Sequence, residues 1–370
     1  MVKRASDIHF EPMEDKVRVR FRIDGELIVI ATIEKSKQAQ VIGRLKSISN
    51  MHQEIQLSQD GRIVSYPDYN IRVSSQMNIH GEKFVLRLMK KEASISGLQE
   101  LGYPDNDTIM KKCFNKRNCI AVIAAPTGEG KTTTLYSALS LLNRPEINIT
   151  TVEDPVEIRI PGLNQVEVNK RVTFADSLRT ILRQDPDIIL LGEIRDKETA
   201  EIAIQAGQTG HFVLSTIHTV DSIEVITRLR KLGISSYDIG SVLATSIAQR
   251  LVRRICKQCA KERPFTDEEK QEFEKISKRY NCEFNLDGKH TYQSVGCEHC
   301  NHTGFYGRIA ANEILIVNED IKDLIISDGT ITDIRKLAFE EGYRPLVVDA
   351  FNKVLDGYTT IDEVKKKLAY

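Results

Sequence analysis

The residues best placed to do chemistry begin with Ala125-Pro126-Thr127-Gly128-Glu129-Gly130-Lys131-Thr132, followed by Thr133. The stretch lies between a strand-like apolar run and a helix-like run, the context a phosphate-binding loop requires. Small residues let backbone N–H groups approach phosphate oxygens, and a helix N-terminus adds partial positive charge. Lys131 can reach the β and γ oxygens of a nucleoside triphosphate, and the Thr132 hydroxyl can bind Mg²⁺. Pro126 through Thr133 are therefore the candidate nucleotide-binding residues. Ala125 stands where such loops usually begin with glycine, but that position only has to be small.

Binding phosphate is not hydrolysing it. Hydrolysis needs a carboxylate to orient water and hold the metal. Glu153, in TVEDPVE (151–157), and Glu193, in DIILLGEIRD (187–196), each follow a strand candidate. In a doubly wound sheet both strand ends face the ligand, so both carboxylates are expected to converge on the γ-phosphate. The residues alone do not choose between them. His211 and His218 bracket a further strand candidate, and His218 is placed to sense the γ-phosphate. For a single histidine an ordinary structural role is the commoner reading.

Four of the seven cysteines form two pairs, Cys256-x-x-Cys259 and Cys297-x-x-Cys300, with 37 residues between them. Two such turns complete a tetrahedral S₄ set, which suits a closed structural Zn²⁺ site. Four reduced, metal-free thiols are the alternative. A redox pair is disfavoured because two pairs bracket one insert. Cys282 is a spare thiol, and Cys113 and Cys119 read as core residues. An odd cysteine count without an export signal argues for a reducing cytosol.

The elements that must position these groups follow from pattern. The 370 residues suggest two or three domains. Lysine plus arginine and aspartate plus glutamate each total 52, giving a net charge of zero, which disfavours a general nucleic-acid coat. No apolar run approaches the roughly 18 to 20 residues of a membrane span. The opening MVKRASDIHFEP lacks an apolar signal region.

Residues 1–97 read as a small α+β domain. Alternation over 17–33 around Asp24-Gly25 is a hairpin signal, and strand alternation returns at 70–76 and 82–89. Val41, Leu45 and Ile48 mark a helix over 38–50. A polar, glycine-rich linker spans 98–107. From 108 to 255, strands are expected at 119–125, 147–153, 187–193 and 211–218, with helices starting at Lys131, Phe174 and Lys197. The apolar strands fit a parallel sheet covered on both faces. A tetracysteine zinc-binding subdomain is expected over 256–310, and a helical region of three or four short amphipathic helices over 311–370.

At this point the chain resembles the GspE/PilB secretion ATPases, which power type II secretion and type IV pilus assembly. The matching stretches run in the family's order. They are RASDIHFEP (4–12), VRVRFRIDG (17–25), QDGRI (59–63), IRVSS (71–75), APTGEGKTTTLYSAL (125–139), TVEDPVE (151–157), LRTILRQDPDIILLGEIRD (178–196), AGQTGHFVLSTIHTVD (206–221), AQRLVRRIC (248–256) and GCEHCNHTGFYGRIAANEIL (296–315). The phosphate loop alone is unspecific, whereas the block 178–221 is highly specific.

The resemblance implies a RecA-like ATPase core preceded by a PAS-like domain, working as a cytoplasmic homo-hexamer on Mg-ATP and releasing ADP. It implies an aspartate box at 151–157, a Walker B segment at 188–193 with Glu193 as its carboxylate, and a histidine box at 206–221. It implies that arginines of the N-terminal domain reach the nucleotide. Arg4, Arg20 and Arg22 lie in matching stretches, with a solvated strand face as the ordinary alternative. The implied partner is an inner-membrane platform protein, with membrane association only through partners and no direct nucleic-acid binding. Tetracysteine inserts belong to the family's assembly and export members, which favours assembly over retraction. Departures are Ala125, Ser58 before QDGRI, and Val220 in the histidine box. A RecA-like nucleic-acid motor and a non-hydrolysing nucleotide-binding scaffold are the competing readings.

Overall fold

The computed structural model describes residues 4–54, 57–90, 96–114, 116–169 and 171–368. The chain divides into two compact units. The first carries the early strands and takes in Glu157–Arg159, and the second carries the rest.

The first unit is built on β1 (Ala5–Pro12), β2 (Lys16–Ile23), β3 (Glu26–Glu34), β4 (Gln59–Ile63), β5 (Tyr69–Asn78) and β6 (Gly81–Lys90), with α1 (Gln38–Ile48) after β3. The strands form one antiparallel sheet in the order β3-β2-β1-β6-β5-β4. Alternation puts Ile71, Val73, Phe84 and Leu86 on one face, where they meet Leu45 of α1 and Ile63. The hairpin expected at Asp24-Gly25 is present, and β5 and β6 form a second one that turns at Ile79-His80.

The second unit opens with the short helices α2 (Leu98–Leu101) and α3 (Asn106–Ile109). It continues as β7 (Cys119–Ala124), α4 (Lys131–Leu142), β8 (Ile149–Glu153), β9 (Asn164–Glu167), α5 (Phe174–Ile181), β10 (Ile188–Leu191), α6 (Lys197–Gln208) and β11 (Phe212–Ile217). Then come α7 (Glu224–Lys231), α8 (Ser236–Val242) and β12 (Leu243–Ile255). Strands β7, β8, β10 and β11 are buried at every position, as strands covered on both faces must be. The three expected helix starts coincide with those observed. Thr173 and Asp196 cap two of them by accepting the N–H of Asp176 and Thr199.

After β12 come β13 (Lys261–Arg263), α9 (Asp267–Tyr280), β14 (Thr291–Gln293), β15 (Phe305–Ile316), α10 (Glu319–Ile326), α11 (Ile331–Glu340), α12 (Leu346–Leu355) and α13 (Ile361–Leu368). The seven-stranded sheet runs β15-β12-β7-β11-β10-β8-β9. It is parallel from β12 to β9, and β15 pairs antiparallel to β12. The cysteine-bearing segment is thus the connection between two long paired strands. The position 310 drawn from sequence as its end falls inside β15. Its helix α9 does not stand alone. Phe273 and Ile276 pack with Phe351, Val354 and Val364 of α12 and α13 in one core.

Candidate functional site

Residues 125–130 turn from the buried end of β7 into α4, with Gly128 at φ 83° and Gly130 at φ 80°. Both are conformations that glycine adopts without strain. The Lys131 ammonium reaches back over the loop to the carbonyls of Ala125 and Pro126, at 2.7 and 3.0 Å. Pro126, Thr127, Gly128 and Thr133 are exposed, and Glu129 to Thr132 are partly buried. A ligand on this rim meets the N-terminal end of α4.

The expected carboxylates arrive by parallel strands. Glu153 ends β8 and is 4% exposed. Its carboxylate accepts from the hydroxyls of Tyr136 and of Thr151, the latter at 2.5 Å, and from Gln165 Nε2 at 3.3 Å. Those donors hold it in place and leave it little freedom to serve another partner. Glu193 follows β10 and its side chain is 17% exposed. It pairs with Arg195 and stands 3.5 Å from His218 Nε2, which follows β11. Because β11 lies between β7 and β10, Glu193 and His218 sit together at the carboxyl edge that also carries the loop. His211, by contrast, turns its Nδ1 to the Ala206 carbonyl at 3.0 Å, a structural contact.

Arg20 and Arg22 belong to the first unit. Arg20 pairs with Glu11 at 2.7 Å, and Arg22 donates to the Gly25 carbonyl and lies 3.8 Å from Asp7. Arg4 pairs with Asp24 at 2.9 Å. Burial works against ionised Glu11, but hydrogen bonds and charge from Arg20 and Arg18 hold its carboxyl down at about 2.

The four cysteines meet. Cys256 and Cys297 sulfurs are 4.0 Å apart, Cys259 and Cys300 3.8 Å, and Cys297 and Cys300 3.7 Å, all four within 4.8 Å of one another. Zn–S bonds of about 2.3 Å in a tetrahedron put sulfurs about 3.8 Å apart, so the set fits zinc. Backbone N–H groups of Gly296, Cys297 and Gly304 point at Cys259 and Cys300, as thiolates require. Burial opposes ionising Cys300, yet those N–H groups on it bring its thiol down to about 6. Thr132 and Glu193 offer the oxygen donors that Mg²⁺ prefers.

Two residues outside the expected site also reach the loop. Gln249 of β12, 1% exposed, donates to the Glu129 carbonyl at 2.6 Å. Arg308 of β15 donates to the Gly128 carbonyl at 3.4 Å, from 180 residues away in the chain. Only the pairing of β12 and β15 beside β7 brings them there.

The family model described as "Type II/IV secretion system protein" matches residues 1–366. The chain belongs to that family. It is 40% identical over 367 residues to the Thermus thermophilus "Type IV pilus assembly ATPase PilB", covering 97% of this chain and 41% of the relative. It is 40% identical over 369 residues to the Escherichia coli "Putative type II secretion system protein E", covering 98% of this chain and 73% of the relative. This type II/IV secretion family member thus spans well under half the length of its Thermus relative. Among solved structures it is similar to the Legionella pneumophila ATPase DotB, with a TM-score of 0.69, 20% identity, and coverage of 98% and 91%. At that identity the likeness is one of fold, a RecA-like sheet with a preceding α+β unit. Among the described residues of this family member, no helix is long and apolar enough to cross a membrane.

Proposed function

We propose that the chain binds and hydrolyses Mg-ATP, and that as a homo-hexameric motor it drives type IV pilus assembly or type II secretion. The observation that carries this reading is the meeting of Glu193 and His218 at the sheet edge that bears the phosphate loop. Residues 126–133 cradle the phosphates, and Lys131 carries charge to them. Thr132 and Glu193 are the residues that would hold Mg²⁺, which when bound neutralises phosphate charge. Glu193 orients the attacking water, with Glu153 as the alternative carboxylate, and His218 positions Glu193 and senses the γ-phosphate. Arg20 and Arg22 supply charge to the nucleotide of an adjacent subunit. Zn²⁺ on Cys256, Cys259, Cys297 and Cys300 is structural.

The names of its relatives print pilus assembly and type II secretion. For this chain we infer a cytoplasmic place, peripheral to the inner membrane and held there by a platform protein. Steady-state phosphate release tests the chemistry. The wild type is expected to release phosphate from ATP only with Mg²⁺, and Lys131→Ala to lose both binding and turnover. Equal turnover by the two would refute the reading.

A further inference from the structure

The Gln249 side chain lies buried behind the phosphate loop. Its Oε1 accepts from Tyr103 Oη at 2.5 Å and Thr134 Oγ1 at 2.8 Å, while its Nε2 donates to the Glu129 carbonyl. The two hydroxyls could each donate or accept. The Glu129 carbonyl can only accept, so it fixes which end of the amide faces the loop. Two residues on, the Leu251 N–H donates to the Glu129 carboxylate at 2.5 Å. Strand β12 therefore grips residue 129 by both its main chain and its side chain. A Cβ at Gly130 would lie 3.0 Å from Gln249 Nε2, so glycine is what allows this approach.

The grip has a geometric consequence. The Glu129–Gly130 peptide is trans, since the cis bond found among the described residues is Asp154–Pro155. In a trans peptide the carbonyl of one residue and the N–H of the next point in opposite directions. Pulling the Glu129 carbonyl back toward β12 therefore turns the Gly130 N–H away from the sheet.

We propose that Gln249 is a positioning residue for the phosphate loop, locked by Tyr103, and that it presents the Gly130 N–H to a phosphate oxygen of the nucleotide. The proposal rests on the nucleotide-binding reading above. Without Gln249 the peptide is free to rotate, and a carbonyl can face the phosphate instead, where it repels. Tyr103 is 3% exposed and sits just after α2, at the Gly102 whose carbonyl accepts from Lys353 Nζ at 2.6 Å. That segment thereby sets the amide that sets the loop.

The test is the affinity of the full chain for Mg-ADP, measured by calorimetry, alongside melting of the nucleotide-free protein. Gln249→Glu keeps the shape but places a carboxylate against the Glu129 carbonyl. At pH 8 it should bind about 10- to 100-fold more weakly, as expected for a buried acceptor left facing an acceptor. A protonated carboxyl can donate where the amide did, so relative to wild type its affinity should recover toward pH 6. The titratable groups facing this position are Tyr103, whose burial keeps its hydroxyl protonated, and Glu129 and Lys131 of the loop. All three are shared with the wild type and cancel in the ratio. Tyr103→Phe should lose about 3- to 10-fold in affinity while staying folded, with only a modest fall in nucleotide-free melting, because Thr134 still donates to Gln249 Oε1. If Gln249→Glu fails to fold, Tyr103→Phe decides. Binding within twofold of wild type by a folded variant overturns the proposal. A wild type that does not bind Mg-ADP at all overturns the nucleotide reading itself.

Discussion

Nε2 of His218 stands 3.5 Å from a carboxylate oxygen of Glu193, although 24 residues and the whole of α6 separate them in the chain. The contact exists because β10 and β11 are parallel neighbours in register, Leu191 beside Ser215, and both residues follow their strands at the same edge. The strand order β7-β11-β10 sets this pair at the edge that carries the loop, where the proposed function has it serve a bound phosphate.

Glu193→Gln should therefore trap ATP. The change keeps shape and hydrogen bonding but removes the charge that positions water and metal. Turnover should fall by about 10² or more, as for loss of a general base, while Mg-ATP affinity is retained. Single-turnover hydrolysis together with nucleotide binding checks this. Wild-type turnover would move the role to Glu153, whose buried carboxylate is already engaged by Tyr136 and Thr151.

Much of this site was legible locally. The loop, both carboxylate segments and the helix starts at Lys131, Phe174 and Lys197 follow from short windows, because caps and apolar runs are local signals. Strand β12 was not legible. Its sequence LATSIAQRLVRRI mixes buried Gln249 with Arg250, Arg253 and Arg254, a pattern that suits no single face. It becomes a strand because β7 and β15 pair with it on either side, and β15 lies beyond the whole cysteine-bearing connection. Gln249 and Arg308 reach the loop by that long-range pairing, which no short window contains. The arginine pairs of the first unit show the converse. The pattern placed Arg20 on a strand, and it is Glu11 that the strand register sets within its reach.

Glu11 makes a pH prediction. Its carboxyl sits at about 2 in the folded chain against an ordinary 4.5, so the ionised form stabilises the fold. That contribution is fully present above pH 4.5 and is lost as pH falls from 4.5 toward 2. Arg20→Ala removes its best partner, raises that folded value and shrinks the contribution. The acid-unfolding midpoint, followed by circular dichroism, should move to higher pH in Arg20→Ala. If Arg20 also reaches nucleotide, the same variant at pH 7.5 should lower turnover more than affinity. An unchanged acid midpoint would contradict the ion-pair account.

The tetracysteine set predicts one zinc per chain by elemental analysis. Cys297→Ser should release it, because one missing thiolate breaks the tetrahedron. Residues 256–300 should loosen, while α9 keeps part of its order through Phe273 against Phe351. Nucleotide binding should largely survive, since the loop's support comes from β7 and β12. Protein purified without chelator that holds no zinc and titrates all four thiols would contradict this site.

The proposed function is that of a ring-forming Mg-ATPase whose arginines act between subunits. An arginine supplied in trans is worth about 10³ to 10⁵ in rate in other phosphate-loop enzymes. The most direct test is phosphate release from Mg-ATP per chain, measured across protein concentration with assembly state followed in parallel. Dilute monomer should turn over slowly, specific activity should rise as rings form, and Arg20→Ala or Arg22→Ala should lose that rise. A specific activity independent of assembly state, or no Mg-dependent release at any concentration, would contradict the proposed function.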